Sequence, residues 1–393
     1  VLILLFKNLL VTTMAIGFSG TTFGEVKADS THIHSSQNQD EIMKNTQAKV
    51  IGKAASGIGR GGLGDIRLLS ITKANHQYYL QDTSRGATII TMDGHNRDDI
   101  RPIIWRNADN TFYDVKDAIA VDAHYNMGIV YDYFKEKYGR DSYDGKGGTI
   151  YSYVRMGDFA DSTWGGDSAI FGNGNTDDDI KTRGFSSALD LVGHEFTHGI
   201  IENTSRLKYQ GESGALNEAI ADLFGILIKH DYDKKSKSKR NLNYKIAEDI
   251  YIDGTNSLRS MKNPSSVPIS NNTGFKEPLI DDEGKQHTQY PDHYSNVYKG
   301  TQDHGGVHFN SSIINKASYL LCGGGTHYGI HVQGIGEEAT GKIYYLATTE
   351  FLKENTNFAE ARIALEKAAV QLYGQNSKEV KSVQSAYSAV GIR

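Results

Sequence analysis

A single cysteine, Cys322, occurs in 393 residues, so no disulfide can close within the chain and no cysteine-based zinc site can form. Cys322 sits at the apolar end of "ASYLLCGGG" and reads as a small core residue without a catalytic role. A basic excess is also missing. With 42 Lys and Arg against 47 Asp and Glu the net charge is −5, which leaves nothing to neutralise a phosphate backbone and excludes nucleic acid as the expected partner. The basic run Lys234–Arg240 reads as a solvated loop. The mean hydropathy of −0.47 argues against a polytopic membrane protein. No internal repeat is visible. The apolar opening "VLILLFKNLLVTTMAIGF" is interrupted by Lys7 and is short for a span, so residues 1–28 are expected to be a signal peptide, with no membrane span after its removal. Residues 29–49 are polar and aperiodic, a linker or pro-segment remnant.

The rest divides by pattern. Residues 50–112 carry short apolar runs and tight-turn residues, the mark of a β-rich layer. Ile119, Ala123, Met127, Val130 and Phe134 recur at helical spacing and predict a long helix over 114–138. A strand is expected within 147–159 and a Gly/Asp-rich loop over 165–179. Ser187 with Asp190 three residues later predicts a capping box opening the next helix. A further helix is expected over about 213–228, then a loop-rich stretch over 231–306, then four helices. The fold class is α+β: a β-rich N-terminal domain, 50–199, ending in a helix, and an α-helical C-terminal domain, 200–393.

The chemistry concentrates in "LDLVGHEFTHGI". On a helix, residues four apart share a face, so His194 and His198 can present two imidazoles to one point, while Glu195 lies beside that point. Hydrolytic zinc chemistry needs such a set: neutral nitrogen ligands, and a carboxylate able to take a proton from water. The next helix, "SGALNEAIADLFG", offers Glu218 as a third ligand and Asp222, one turn on, as acceptor for a histidine N–H.

These segments, together with "GRGGLGD", "YYLQDTSRGATI", "AVDAHYNMGIVYDYFKEKYGR", "SLRSM", "GGVHFNSSIINKASYLL" and "FAEARIALEKAAVQLYG", make the chain resemble the thermolysin family of secreted bacterial neutral zinc metalloproteases, over about residues 50–393. The resemblance implies one catalytic zinc on His194, His198 and Glu218, in the cleft between the two domains, and Glu195 as general base. It implies His308 and Tyr209 as donors to the oxyanion, Asp303 as the carboxylate orienting His308, and Arg259 as the holder of a substrate carbonyl. Leu191, Ile250 and Leu258 would line an apolar pocket for the residue on the leaving side. The expected partners are protein or peptide substrates, and a secreted monomer is the expected form.

Three departures from the family stand out. Only residues 29–49 stand where the family carries a long pro-segment. "FADSTW" puts Asp161 where a substrate-binding asparagine is usual and Ser162 where an alanine is usual; an ionised aspartate accepts but cannot donate. The family's paired calcium ions are held by five carboxylates, and only Asp190 and Glu248 fit two of those positions. Lys229, Asn243 and Lys245 fall on the others, so Lys229 and Lys245 are expected to pair with Asp190 and Glu248 and the double calcium site to be lost. Calcium positions around Asn107–Asp109 and Asn256 look weakened as well. Two further readings remain beside a zinc endopeptidase: a zinc-binding, catalytically weak relative acting as a binding protein, and a structural zinc protein.

Overall fold

The computed structural model describes residues 49–393 except 98–100, 158, 176–179, 239 and 272–277. The expected signal peptide and nearly all of the 29–49 linker lie outside the described residues. Two sheets form the N-terminal half. In the first, β1 (Lys53–Arg60) and β2 (Ile66–Ala74) run antiparallel with Gly57 opposite Leu69, joined by β3 (Gln77–Tyr79). The second contains β4 (Gln81–Asp82), β5 (Ile89–Asp93) and, paired with β5, β6 (Ile103–Ile104). The first sheet is completed by β7 (Arg106–Asn107) and β8 (Thr111–Phe112), in the order β7-β3-β2-β1-β8.

Alternation sets the face of β2: Leu69 and Ile71 are buried while Leu68 and Ser70 face out. A one-turn 3₁₀ segment, Val115–Asp117, precedes α1 (Ala118–Tyr138), so the predicted helix starts four residues late. It stops at Gly139, whose φ of 66° closes the last turn.

Beyond α1, β9 (Ile150–Val154), β10 (Ser162–Gly165) and β11 (Ser168–Phe171) extend the second sheet, in the order β10-β11-β9-β5-β4. The 165–179 stretch is therefore not a loop throughout: "SAIF" pairs in parallel with β9, because Ala169 and Phe171 bury themselves in the core. β10 is left as an edge strand resting on α2 (Leu189–Glu202). The close seat depends on Gly199, where a Cβ would come within 2.5 Å of the Trp164 ring.

The capping box expected at Ser187 and Asp190 is not formed. Ser187 lies in the 3₁₀ turn Phe185–Ser187, Ala188 is the N-cap residue of α2, and no side chain caps it. Asp190 instead turns its carboxylate to the backbone N–H groups of Leu191 and, across the fold, Ala247.

The C-terminal half is helical. α3 (Gly211–Lys235) runs past the predicted 213–228, and the first two residues of the basic run belong to its last turn. Those two are ion-paired rather than merely solvated, Lys234 with Glu337 and Lys235 with Asp231 and Glu136. α4 (Gln302–Gly323), α5 (Glu337–Leu346), α6 (Phe358–Tyr373) and α7 (Lys378–Ala389) follow, with a π-helical turn, Ala347–Phe351, after α5. Cys322 is buried in the last turn of α4, and burial pushes its thiol up to about 12. Among the described residues no helix is long and apolar enough to cross a membrane.

One hydrophobic core runs from Leu69 through α1, α2 and α3 to Ile392, so both halves share it. α2 and α3 approach closely because Gly225 presents no Cβ, which would otherwise lie 2.3 Å from the Asp190 carbonyl oxygen. That crossing brings the polar face of α2 against the polar face of α3.

Candidate active site

His194 and His198, one turn apart on α2, aim their Nε2 atoms at the same point, 3.0 Å from each other. Their Nδ1 atoms are committed elsewhere: that of His194 lies 2.9 Å from Asp222 Oδ1, and that of His198 lies 2.8 Å from Asn217 Oδ1. Facing acceptors, both Nδ1 atoms carry the proton, so in the neutral tautomers both Nε2 atoms present lone pairs. Glu218, fully buried on α3, closes the triangle at 3.4 Å from each Nε2, through Oε2 to His194 and Oε1 to His198. Among the described residues these three form the one group of ligating side chains whose donor atoms all lie within 4.8 Å of one another.

Two lone pairs and a carboxylate in a buried space need a cation between them. Burial pulls the His194 imidazole down, but the Glu218 and Asp222 carboxylates outweigh it and raise it to about 10. For Glu218 burial works in the other direction, and His308 and His194 hold it well below the usual range. Two imidazoles and a carboxylate converging on one point fit a catalytic zinc ion.

Behind the ligands stands a buried second layer. Arg259 grips Asp222 with two hydrogen bonds, Nε to Oδ2 at 2.8 Å and Nη2 to Oδ1 at 2.7 Å. Asn315 on α4 adds a donor to Asp222 Oδ2 at 2.8 Å. Burial opposes the charge on Asp222, but Arg259 and His194 hold the carboxyl below its ordinary value. Arg259 is thus occupied by Asp222 through Nε and Nη2, with 3.8 Å from Nη2 to Glu218.

Glu195 is buried beside the ligands. Ser162 Oγ donates to its Oε1 at 2.6 Å, and among the described residues Oε2 has no hydrogen-bond partner. The opposite wall comes from α4. Asp303, His304, Gly305 and Gly306 all have positive φ, between 50° and 82°, and form a left-handed turn before the right-handed helix proper. Asp303 closes that turn. Its Oδ2 accepts from the backbone N–H of His308 at 2.8 Å, and its Oδ1 lies 2.6 Å from His308 Nδ1. His308 Nε2 consequently points at the cleft, 2.9 Å from the Tyr209 hydroxyl and 3.6 Å from Glu218 Oε1. Burial lowers the His308 imidazole, and Glu218 and Asp303 more than offset this, raising it to about 9. Tyr209 also donates to Glu218 Oε1 at 2.5 Å; burial and that carboxylate raise its phenol well above the ordinary value.

Asp161 lies at the entry to β10, its Oδ1 accepting from the Ser162 N–H. Leu191 and Ile250 are buried in the main core and Leu258 packs against it. Asn217 and Asn315 hold the site without having drawn notice in the sequence. Asn217 adjoins Glu218 and was open to suspicion on that ground, whereas Asn315 meets Asp222 across 93 residues and carries no local signal.

At the calcium-related positions, Lys229 Nζ lies 2.9 Å from Glu248, 3.7 Å from Asp190 and 3.8 Å from Asp249. Asn243 donates to both Glu248 oxygens at 3.0 Å. Lys245 departs from expectation: its ammonium donates to the Thr255 carbonyl at 3.3 Å, because Lys245 sits in a short strand paired with Ser260 and its side chain runs along the 253–256 turn.

Comparison with known proteins agrees with this architecture. The model for the thermolysin metallopeptidase catalytic domain matches residues 56–202, and that for the thermolysin metallopeptidase alpha-helical domain matches 205–392. Bacillolysin of Bacillus caldolyticus is 41% identical over 370 residues, covering 93% of this chain and 62% of that protein. Bacillolysin of Bacillus cereus is 43% identical over 348 residues, covering 87% and 56%. The chain thus spans about three-fifths of the length of these relatives. Among solved structures, the precursor of protealysin, a metalloproteinase from Serratia proteamaculans, superposes with a TM-score of 0.61 at 23% identity, covering 92% of this chain and 95% of that one, a likeness of fold.

Proposed function

Because this chain belongs to the thermolysin family of metallopeptidases, we propose that it is a secreted zinc-dependent endopeptidase, active as a monomer on protein or peptide substrates. The observation that carries this is the convergence of His194, His198 and Glu218 on one point, with Glu195 on one side and the His308–Asp303 pair on the other. The two halves, 50–199 and 200–393, supply the opposite walls. When bound by the three ligands, zinc supplies a Lewis acid that polarises the scissile carbonyl and acidifies water.

The chain's own residues do the rest. Glu195 takes the proton from the attacking water and can pass it to the leaving amine. His308, held by Asp303, donates from Nε2 to the oxygen that gains charge. The Tyr209 hydroxyl, 2.9 Å from that nitrogen, serves the same locus. Asp222 fixes the tautomer and plane of His194, and Arg259 fixes Asp222 while offering Nη1 to a substrate carbonyl. Leu191, Ile250 and Leu258 favour an apolar residue on the leaving side. Asp161 and Ser162 border the substrate strand from β10.

The double calcium site is lost in this reading. Lys229 is an internal cation among Asp190, Glu248 and Asp249, and its ammonium opposes a divalent ion there. Within the basic run Lys234, Lys235 and Arg240 are ion-paired to carboxylates, which weighs against a nucleic-acid surface there. Asp161 favours a second reading, a zinc-binding protein of weak catalytic power, since a carboxylate there repels peptide carbonyls. Degradation of casein by the zinc-loaded protein, abolished by a chelator and restored by zinc, tests the first reading; zinc binding without degradation would establish the second.

A further inference from the structure

Ser162 opens the edge strand β10, and the two-residue period of a strand puts it on the same face as Trp164. Trp164 is seated on α2, against Gly199 and with its ring centroid 6.0 Å from that of Phe196. The same register therefore turns the Ser162 side chain toward α2, where its hydroxyl donates to Glu195 Oε1 at 2.6 Å. Ser162 and Glu195 are 3% and 1% exposed, so water does not compete for this bond. A hydroxyl has one proton to give and an ionised carboxylate only accepts, and such charge-assisted O–H···O bonds fall at this short distance. The two oxygens of Glu195 are thus unlike: Oε1 is satisfied, whereas Oε2 is buried and finds no donor among the described residues.

We propose that Ser162 is a positioning residue for Glu195, pinning Oε1 and fixing the carboxylate plane so that Oε2 is the oxygen that receives the proton from water. This rests on Glu195 being the general base. The terminal torsion of a glutamate is broad and two-fold, so an unpinned carboxylate spreads over many orientations. Alanine at 162 would leave both oxygens without a partner. Threonine keeps the hydroxyl and suits a strand, and valine keeps the shape of threonine without the hydroxyl.

The experiment compares Ser162→Ala, Ser162→Thr and Ser162→Val as zinc-loaded enzymes, with kcat and KM on one peptide measured separately, alongside zinc content and melting temperature. Ser162→Ala and Ser162→Val should lower kcat on the order of tenfold, the loss of one hydrogen bond to a charged group. KM and zinc content should stay within about twofold, and Ser162→Thr should stay within about threefold of the parent kcat, as a retained hydrogen bond requires. An unchanged kcat in Ser162→Ala, a loss confined to KM, or a Ser162→Thr enzyme as slow as Ser162→Val would overturn the proposal. The threonine–valine pair separates hydroxyl from packing even if the alanine variant folds poorly. Glu195→Gln, run beside them, answers for the premise: if it remains active the base is wrong, whereas an inactive Glu195→Gln with a fully active Ser162→Ala sinks Ser162 alone.

Discussion

The Lys229 ammonium lies 2.9 Å from Glu248 Oε1, and the pair closes a cluster of three carboxylates with a cation carried by the chain itself. Burial works against that charge, but Asp190, Asp249 and Glu248 raise the ammonium well above its ordinary value. A raised lysine contributes its full stability below its unfolded value and loses it only as pH climbs above that, so the cluster is intact across the neutral range. With zinc supplied, the melting temperature should hardly differ between added calcium and a calcium-selective chelator. Lys229→Met should destabilise by about 3–5 kcal/mol, since it strands the buried Asp190 carboxylate beside two half-buried ones. A calcium-dependent rise of many degrees in the parent protein, lost in Asp190→Asn, would refute the replacement.

Removing the base should separate chemistry from metal binding. Glu195→Gln is expected to keep about one zinc per chain and to lose proteolysis by several powers of ten, as an amide cannot take the proton from water. His194→Ala should lose the metal itself. Elemental analysis beside a peptide assay decides; an active Glu195→Gln would end the mechanism.

Arg259 reaches the metal through two intermediaries, since it holds Asp222 and Asp222 holds His194. Lysine cannot reproduce the two parallel bonds of a guanidinium. Arg259→Lys should therefore weaken zinc binding by about 10–100-fold. Competition with a chromogenic chelator would measure it, and an unchanged affinity would mean that Asn315 and His194 hold Asp222 unaided.

Asp161 offers a case with a definite sign. Burial, with the charges of Glu195 and Glu218, pushes its carboxyl up to about 6, against the opposing Ser162 N–H and His308. The folded state then keeps a proton between about pH 4 and 6 that the unfolded chain has released, so this group's contribution to stability falls as pH rises through that window and is level above it. Asp161→Asn removes the penalty. It should unfold about 2–3 kcal/mol later than the parent at pH 7, with no difference near pH 4. It should also raise kcat/KM on peptides by on the order of a few tens of fold, as a mismatched charge is relieved. A slower variant would show that the aspartate serves substrates with basic residues.

What could be read in the sequence was local geometry. Four-residue spacing places His194 over His198 and Glu218 over Asp222 whatever the rest of the chain does, and alternation places Leu69 and Ile71 inside. Failures came where a side chain had a distant alternative. Asp190 looks like half of a capping box, but its carboxylate is needed 57 residues away at Ala247. Lys245 looks like a partner for Glu248 until strand pairing with Ser260 fixes where it starts. The Ser162–Glu195 bond depends on how an edge strand lies across a helix, which no spacing encodes.

The left-handed turn at 303–306 has a consequence for how this cleft can vary. One carboxylate, that of Asp303, both anchors the first free amides of α4 and clamps the His308 ring. Two of the four residues in the turn are not glycine, and each left-handed residue of that kind costs roughly 1–2 kcal/mol, which those bonds must offset. Loss of Asp303 would therefore release the helix start and the imidazole in one event. Amide protection at His308 and Phe309 and turnover of substrate should be lost together, so His308 cannot be retuned through Asp303 while the helix beneath it stays as it is.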